Sequence, residues 1–139
     1  MAKAKLVLGI AAGLAIALVA GWVLGRSDRS DVAGALEASE LRVELLGARA
    51  ALLDARVAVY SVNFGEASSH LEDARGLLGR ANQRLASLGR TDTAKYVQAA
   101  LASLEDAQRS AGKLDPGANA RAGEAAKAIA DALDVEAKR

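Results

Sequence analysis

Cysteine is absent from this chain of 139 residues, and histidine, proline, methionine and tryptophan each occur once. Without cysteine the chain cannot form disulfides or a cysteine-ligated zinc site, and one histidine cannot supply a histidine-rich metal centre. Aromatic residues make up only 3% of the sequence, so a β-sandwich, which needs aromatic and β-branched residues, is not expected. These scarcities predict a protein that is not an enzyme and that holds no metal and no cofactor.

Alanine is abundant instead, with 34 copies, and 52% of all residues are apolar. Alanine, leucine, glutamate and arginine all favour the helix. The composition therefore predicts an all-α fold: a single N-terminal transmembrane helix followed by a helical bundle or helical hairpins of about four helices.

Residues 6–25 form a run without any charged or strongly polar side chain. As a helix, this run would be about 30 Å long and would match the hydrocarbon core of a bilayer. We therefore predict an uncleaved signal anchor over residues 1–26, with the lipid bilayer as its partner. A cleaved signal peptide is the alternative, but its apolar region is usually shorter, and Val19-Ala20-Gly21 is a poor cleavage site.

The charges around the run indicate its orientation. Lys3 and Lys5 precede the run, whereas Arg26 and Arg29 follow it together with acidic residues. This slight bias favours a cytoplasmic N-terminus and an extracytoplasmic helical domain, which is periplasmic in a Gram-negative cell. The part after residue 26 carries 15 of the 18 Lys and Arg residues and all 17 Asp and Glu residues. It is mildly acidic, so nucleic acid is not an expected partner.

Small residues recur at every fourth position of the predicted anchor. The stripe consists of Gly9, Gly13, Ala17, Gly21 and Gly25. Small side chains on one face let two membrane helices approach closely. We therefore expect a contact with a second copy of the chain or with another membrane subunit, although a chain this rich in alanine and glycine also scatters small residues by composition alone.

A polar hinge at residues 27–31 leads to the helical domain, residues 32–139. Helices are predicted near 32–62, 65–88, 92–112 and 116–136. Gly89 can end the second of these helices, and Pro116 suits the first turn of the fourth.

A heptad pattern runs from residue 32 to residue 88. Its two columns, here called the heptad columns, are Leu36, Val43, Ala50, Val57, Phe64, Leu71, Leu78 and Leu85, and Val32, Ser39, Leu46, Leu53, Tyr60, Ala67, Ala74, Ala81 and Leu88. Such regularity predicts helix and helix packing. The segment is either one long helix or a hairpin that turns at Asn63-Phe64-Gly65, where asparagine and glycine tolerate left-handed backbone.

A second apolar seam accompanies the columns only before the turn. Four of its large residues, Leu41, Leu45, Leu52 and Val59, form a candidate face for a protein partner unless the other helices cover them. At the turn itself, Tyr60, Asn63, Phe64 and Gly65 are predicted to make the turn and an aromatic plug for the core.

A short internal similarity also supports hairpins. Leu71-Glu-Asp-Ala-Arg75 recurs as Leu104-Glu-Asp-Ala-Gln108. The stretch from Asn63 to Ala74 resembles the turn and second helix of a tetratricopeptide repeat, although the first-helix signature is missing. The resemblance implies helical hairpins and a protein-binding surface.

Candidate chemistry is sparse. His70 has Glu66 four residues before it but no nucleophile or second ligand beside it in the sequence, so we expect a solvated or core-edge histidine. The chain is thus predicted to be a membrane-anchored protein-protein interaction module that acts as a tether or scaffold. The alternative is an accessory structural subunit of a larger integral membrane complex.

Overall fold

The computed structural model describes residues 32–139, which fold into four helices without any strand. The helices are α1 (32–60), α2 (Phe64–Ser87), α3 (Thr91–Gly112) and α4 (Ala118–Ala137). The prediction of an all-α helical bundle with about four helices is confirmed for this part of the chain. Among the helices of residues 32–139, none combines the length and the apolar character that crossing a membrane requires.

Two of the predicted features fall on residues 1–31, outside the described residues. These are the membrane anchor with its hinge, and the small-residue stripe formed by Gly9, Gly13, Ala17, Gly21 and Gly25.

The segment 32–88 is a hairpin of two helices. Asn63 is the N-cap of α2: its Oδ1 accepts a hydrogen bond from the Glu66 backbone N–H at 3.2 Å, and its Nδ2 donates to Glu66 Oε2 at 2.7 Å. This reciprocal pair resembles a capping box, which satisfies a donor that the first helical turn leaves open. Chain reversal at residues 61–63 therefore has its own local stabilisation.

The other two turns follow the sequence signals with small shifts. Gly89 adopts φ +65° between α2 and α3, a conformation that costs glycine little. Before α4, the Asp115 carboxylate accepts a hydrogen bond from the Gly117 N–H at 2.8 Å, and the helix begins at Ala118, two residues after Pro116.

Residues 39–139 form one compact unit. Side-chain contacts join an early part of each helix to a late part of the next, so successive helices run antiparallel. α3 packs most extensively against α4 and next against α2. α1 is joined to α2 by Glu44 and Arg84, and to α4 by Arg56 and Asn119. Because the first helix contacts the last, the four helices close into an up-down-up-down bundle.

Alanine sets the spacing of this bundle. It supplies 14 of the 24 buried apolar residues, including Ala67, Ala74 and Ala81 along α2. Gly47 of α1 lies against Leu77 of α2, since a Cβ at position 47 would lie 3.3 Å from Leu77 Cδ1. Short side chains thus let the helices pack closely, and the leucines of α1 and α2 fill the space between them.

The two Leu-Glu-Asp-Ala segments do not occupy equivalent positions. Leu71–Arg75 lies in α2, the second helix of the first hairpin, whereas Leu104–Gln108 lies in α3, the first helix of the second hairpin. A tandem repeat would place both copies on corresponding helices. The similarity is therefore a match of helix composition and not of two repeated hairpins.

Candidate interaction surfaces

The first candidate surface is an exposed apolar stripe along α1, here called the outer stripe. It consists of Ser39, Val43, Leu46, Ala50, Leu53, Val57 and Tyr60. All seven are exposed, and the five large apolar members are 40 to 86% exposed. These residues are the part of the heptad columns that lies between residues 39 and 60, so the most regular apolar pattern of the sequence faces solvent in this helix.

The opposite face of α1 supplies the core. Leu41, Leu45, Leu52 and Val59, predicted as a partner face, are at most 5% exposed. Of the two alternatives for this face, the covered one holds in the folded bundle, because all four residues belong to the buried core cluster. They therefore offer no face to a partner. The buried face therefore has a different sequence pattern on each side of the turn. In α1 the core is built from the second seam, whereas in α2 it is built from the heptad columns, where Leu71, Leu78 and Leu85 are buried.

A shallow groove accompanies the C-terminal half of the outer stripe. Its lining residues are Leu53, Arg56, Val57, Tyr60 and Asn119. Arg56 Nε donates to Asn119 Oδ1 at 3.1 Å, and Asn119 Nδ2 donates back to the Arg56 carbonyl at 3.1 Å. This reciprocal bond fixes the α4 wall of the groove and leaves the apolar wall to α1.

The second candidate surface is an apolar hollow at the end of the bundle where the α1–α2 and α3–α4 turns meet, here called the turn-end hollow. It is lined by Val59, Tyr60, Val62, Phe64, Leu114, Pro116 and Asn119. Its cavity volume is about 600 Å³. Val62 and Leu114, one from each turn, are 75% and 67% exposed.

Backbone strain occurs at both of these turn residues. Val62 has φ 61° and Leu114 has φ 55°. Left-handed backbone is unfavourable for residues other than glycine, and most of all for a β-branched valine. Strained residues of this kind are concentrated at functional sites. Here both strained residues carry large apolar side chains that are exposed at the rim of one hollow.

The aromatic plug exists only in part. Phe64 is half-buried against the core, but Tyr60 is 86% exposed, so the prediction that Tyr60 fills the core is wrong. It lies in the outer-stripe register, on the side of α1 that points away from the core. Asn63 caps α2 and Gly65 lies within that helix, while the left-handed position of the turn is taken by Val62.

An ion-pair network joins α1 and α2 on the flank of the outer stripe. Arg84 donates from Nε to Glu44 Oε2 at 3.2 Å and from Nη2 to Glu44 Oε1 at 3.1 Å, and it pairs with Glu40 at 2.6 Å. Arg80 lies 3.8 Å from Glu44. Glu44 is only 8% exposed, and its charge is compensated by this fork-like contact. The network ties α1 to α2 beside the outer stripe.

A second polar cluster ties the start of α3 to the end of α4. Thr93, which is fully buried, donates from Oγ1 to Glu136 Oε1 at 2.5 Å. Arg90 donates to the other oxygen of the same carboxylate. The last turn of α4 is therefore held to the bundle by Glu136.

On the exposed surface of α4, charges pair within the helix. The Lys127 ammonium donates to Asp131 at 2.7 Å, and this hydrogen bond raises the pKa of Lys127. The Arg121 guanidinium donates to Glu124 and its pKa is raised for the same reason. Both contacts pair opposite charges about one helical turn apart.

His70 lies beside a polar hollow. Its Nε2 is 3.8 Å from Glu66 Oε1, and Asp54 and Ser61 line the same hollow. Among the hydrogen bonds of residues 32–139, none joins Ser61 to His70, and this part of the chain holds no group of three or more carboxylates and histidines able to bind a metal ion. The hollow lacks the nucleophile–base contact that a hydrolase needs.

Sequence reasoning missed the Glu44–Arg84 pair and the left-handed Val62. The first joins residues 40 positions apart, and only the three-dimensional pairing of α1 with α2 identifies it. The second carries no signal in the sequence, because Asn63 and Gly65 beside it are the better left-handed candidates.

No family model matches this chain, and neither the curated proteins nor the solved structures include a match to it. The functional inference therefore depends on the surfaces themselves.

Proposed function

We propose that this chain is a membrane-anchored helical interaction module that acts as a tether or scaffold. Residues 6–25 would cross the bilayer as an uncleaved signal anchor, and the bundle would lie on the extracytoplasmic side. Attachment to the membrane raises the effective concentration of the bundle near partners there.

The observation that carries the proposal is the turn-end hollow. The buried core of the bundle is complete without Val62 and Leu114, yet both protrude into solvent from strained turns. Exposed apolar side chains around a concave surface are typical of protein-binding sites. Tyr60 and Phe64 add aromatic surface of the kind that dominates interface energetics. We propose that an apolar side chain of a protein partner enters this hollow.

Binding is favoured over catalysis because three carboxylates that could serve as acids or bases are engaged in pairs and caps. Glu66 binds the N-cap residue Asn63, and Glu44 and Glu136 each satisfy an arginine.

A photo-crosslinking experiment in intact membranes tests the proposal. A photoreactive amino acid replaces Val62 in one variant and Arg75, an exposed residue of α2 far from the hollow, in the control. We expect the Val62 probe to form an adduct with a distinct protein and the Arg75 probe to form none. No adduct at Val62, or the same adducts at both positions, contradicts the proposal.

Two further measurements test the anchor and the alternative function. Protease added outside intact cells or spheroplasts should digest the chain beyond residue 26 if the bundle is extracytoplasmic. Extraction in mild detergent separates the module from an accessory subunit. A stoichiometric multisubunit complex held through the Gly9–Gly25 stripe favours the accessory subunit, and a free tether favours the module.

A further inference from the structure

The outer stripe of α1 has the strict spacing of a coiled-coil seam. Its members alternate at intervals of four and three residues, which assigns Val43, Ala50 and Val57 to heptad position a and Ser39, Leu46, Leu53 and Tyr60 to position d. In the sequence the same spacing extends back through Leu36 and Val32. The seam therefore continues over four heptads, which is the length that distinguishes a coiled coil from a chance apolar face.

The rest of the bundle already occupies the opposite side of the helix. The buried residues of α1 fall at positions b, c and f, which lie roughly opposite a and d on a helix of 3.6 residues per turn. A partner helix can consequently pack on the outer stripe without displacing any residue of the core.

We propose that the outer stripe packs against the same stripe of a second copy of this chain, forming a parallel two-stranded coiled coil between two bundles. Valine at position a together with leucine at position d favours a parallel dimer over higher oligomers. Val43 with Leu46, and Val57 with Leu53, follow this rule. Ala50 at the centre of the seam lets the helices approach closely.

The flanking charges favour the parallel orientation. Arg42, Arg49 and Arg56 all occupy position g, and Glu40 and Asp54 occupy position e. An antiparallel pair places g against g and e against e, which sets arginine against arginine and carboxylate against carboxylate. A parallel pair places each g residue beside the e residue five positions later in the partner, and this arrangement brings no like charges together.

One parallel contact is attractive and occurs twice. It joins Arg49 of one copy to Asp54 of the other, and the symmetry of the dimer repeats it. Within the described part of the chain neither residue takes part in a hydrogen bond or ion pair, so both are available to a partner. This self-complementary charge pair is the reason for choosing a second copy over an unrelated helix. Parallel packing also puts residues 6–25 of both copies at the same end of the dimer, which suits two anchors in one membrane. Only this last point rests on the proposed function.

Single-cysteine crosslinking of the full chain in membranes tests the proposal. Because the chain has no native cysteine, each variant carries one thiol at a known position. Val43→Cys and Val57→Cys introduce a thiol near each end of the seam, and Ala86→Cys introduces one at an exposed position of α2 as a control. A disulfide forms only when the two Cα atoms lie within about 7 Å.

In a parallel dimer, each seam variant faces its own counterpart. We therefore expect both Val43→Cys and Val57→Cys to form disulfide-linked dimers as the main product after mild oxidation, and Ala86→Cys to remain monomeric. Crosslinking only in a mixture of the two seam variants indicates an antiparallel pair and overturns the proposal. Absence of any dimer, or disulfides to another protein instead, overturns it as well.

A charge swap tests the register separately. In the Val43→Cys background, Arg49→Asp should reduce the crosslinked fraction because it faces Asp54, and the double change Arg49→Asp with Asp54→Arg should restore it. Failure of the double variant to recover overturns the parallel register. The two proposals can also fail separately. If the seam variants form dimers but the photoreactive probe at Val62 forms no adduct, the result contradicts a protein partner at the turn-end hollow and still supports the dimer through the outer stripe.

Discussion

Two adjacent leucines of α1 offer a sharp test of which face builds the core. Leu45 is fully buried, whereas its neighbour Leu46 is 46% exposed in the outer stripe. Truncating a buried leucine to alanine costs about 2–5 kcal/mol, and more where the surroundings cannot collapse into the cavity. Most buried apolar residues of this bundle are alanines, and alanine side chains are too short to fill such a hole. We therefore expect Leu45→Ala to cost about 3–5 kcal/mol of unfolding free energy, and Leu46→Ala to cost less than about 1 kcal/mol in the monomer.

Urea unfolding of the full chain in mild detergent, followed by far-ultraviolet circular dichroism, measures both variants. With an m-value of about 1–3 kcal/mol/M, Leu45→Ala should lower the midpoint by more than about 1 M, and Leu46→Ala should barely move it. If the loss of unfolding free energy in Leu46→Ala grows with protein concentration, it reports weaker association between copies and not a weaker fold. Equal losses at the two positions, or a larger loss at Leu46, would refute the assignment of faces.

Three other changes probe individual contacts. Arg84→Met leaves the Glu44 carboxylate buried with a weaker partner, so urea unfolding should show that the unfolding free energy falls by about 1–3 kcal/mol. An unchanged urea midpoint would contradict a stabilising role for the network. Val62→Gly should raise the unfolding free energy by up to about 1 kcal/mol, because relief of left-handed strain exceeds the entropic cost of glycine; a loss would show that φ is not positive there. The hydrogen bond to Asp131 holds the pKa of Lys127 above its ordinary 10.5, so its stabilisation is complete below that pH and is lost as pH rises through the folded-state pKa. Asp131→Asn should lower the Lys127 pKa in an NMR titration, and an unchanged pKa would contradict the contact.

Much of the fold was predictable because helix breaks have local causes. Asn63, Gly89 and Pro116 each restrict or release the backbone at a specific position, and helices end or begin next to them in the structure. The excess of alanine, leucine and arginine between these breaks leaves no competing secondary structure.

The assignment of faces could not be predicted from periodicity. In α1, both the outer stripe and the face that contains Leu45 and Leu52 repeat at helical spacing, so hydrophobic pattern alone does not identify the buried one. The heptad columns also continue in register across the three-residue turn. In α1, however, these columns face solvent, whereas in α2 they face the core. The buried face is identified only by contacts between helices, such as that of Glu44 with Arg84, and these depend on how two helices meet.

The two candidate surfaces have different origins in the fold. The outer stripe is the apolar face that remains after α1 has filled the core, and a second helix would complete it. The turn-end hollow depends on Val62 and Leu114, whose backbone conformations no local pattern favours. Residues that violate local preference are expected at functional sites.

The central claim is that α1 has one face for its own bundle and another for a partner. Maleimide labelling of single-cysteine variants in native membranes tests it most directly, with Leu45→Cys and Leu52→Cys for the inner face and Leu46→Cys and Leu53→Cys for the outer stripe. The inner positions should stay protected in membranes and in dilute detergent until urea unfolds the chain. The outer positions should be protected in membranes but label readily once detergent dilution separates the copies. Equal labelling of the outer positions in both conditions would contradict the claim.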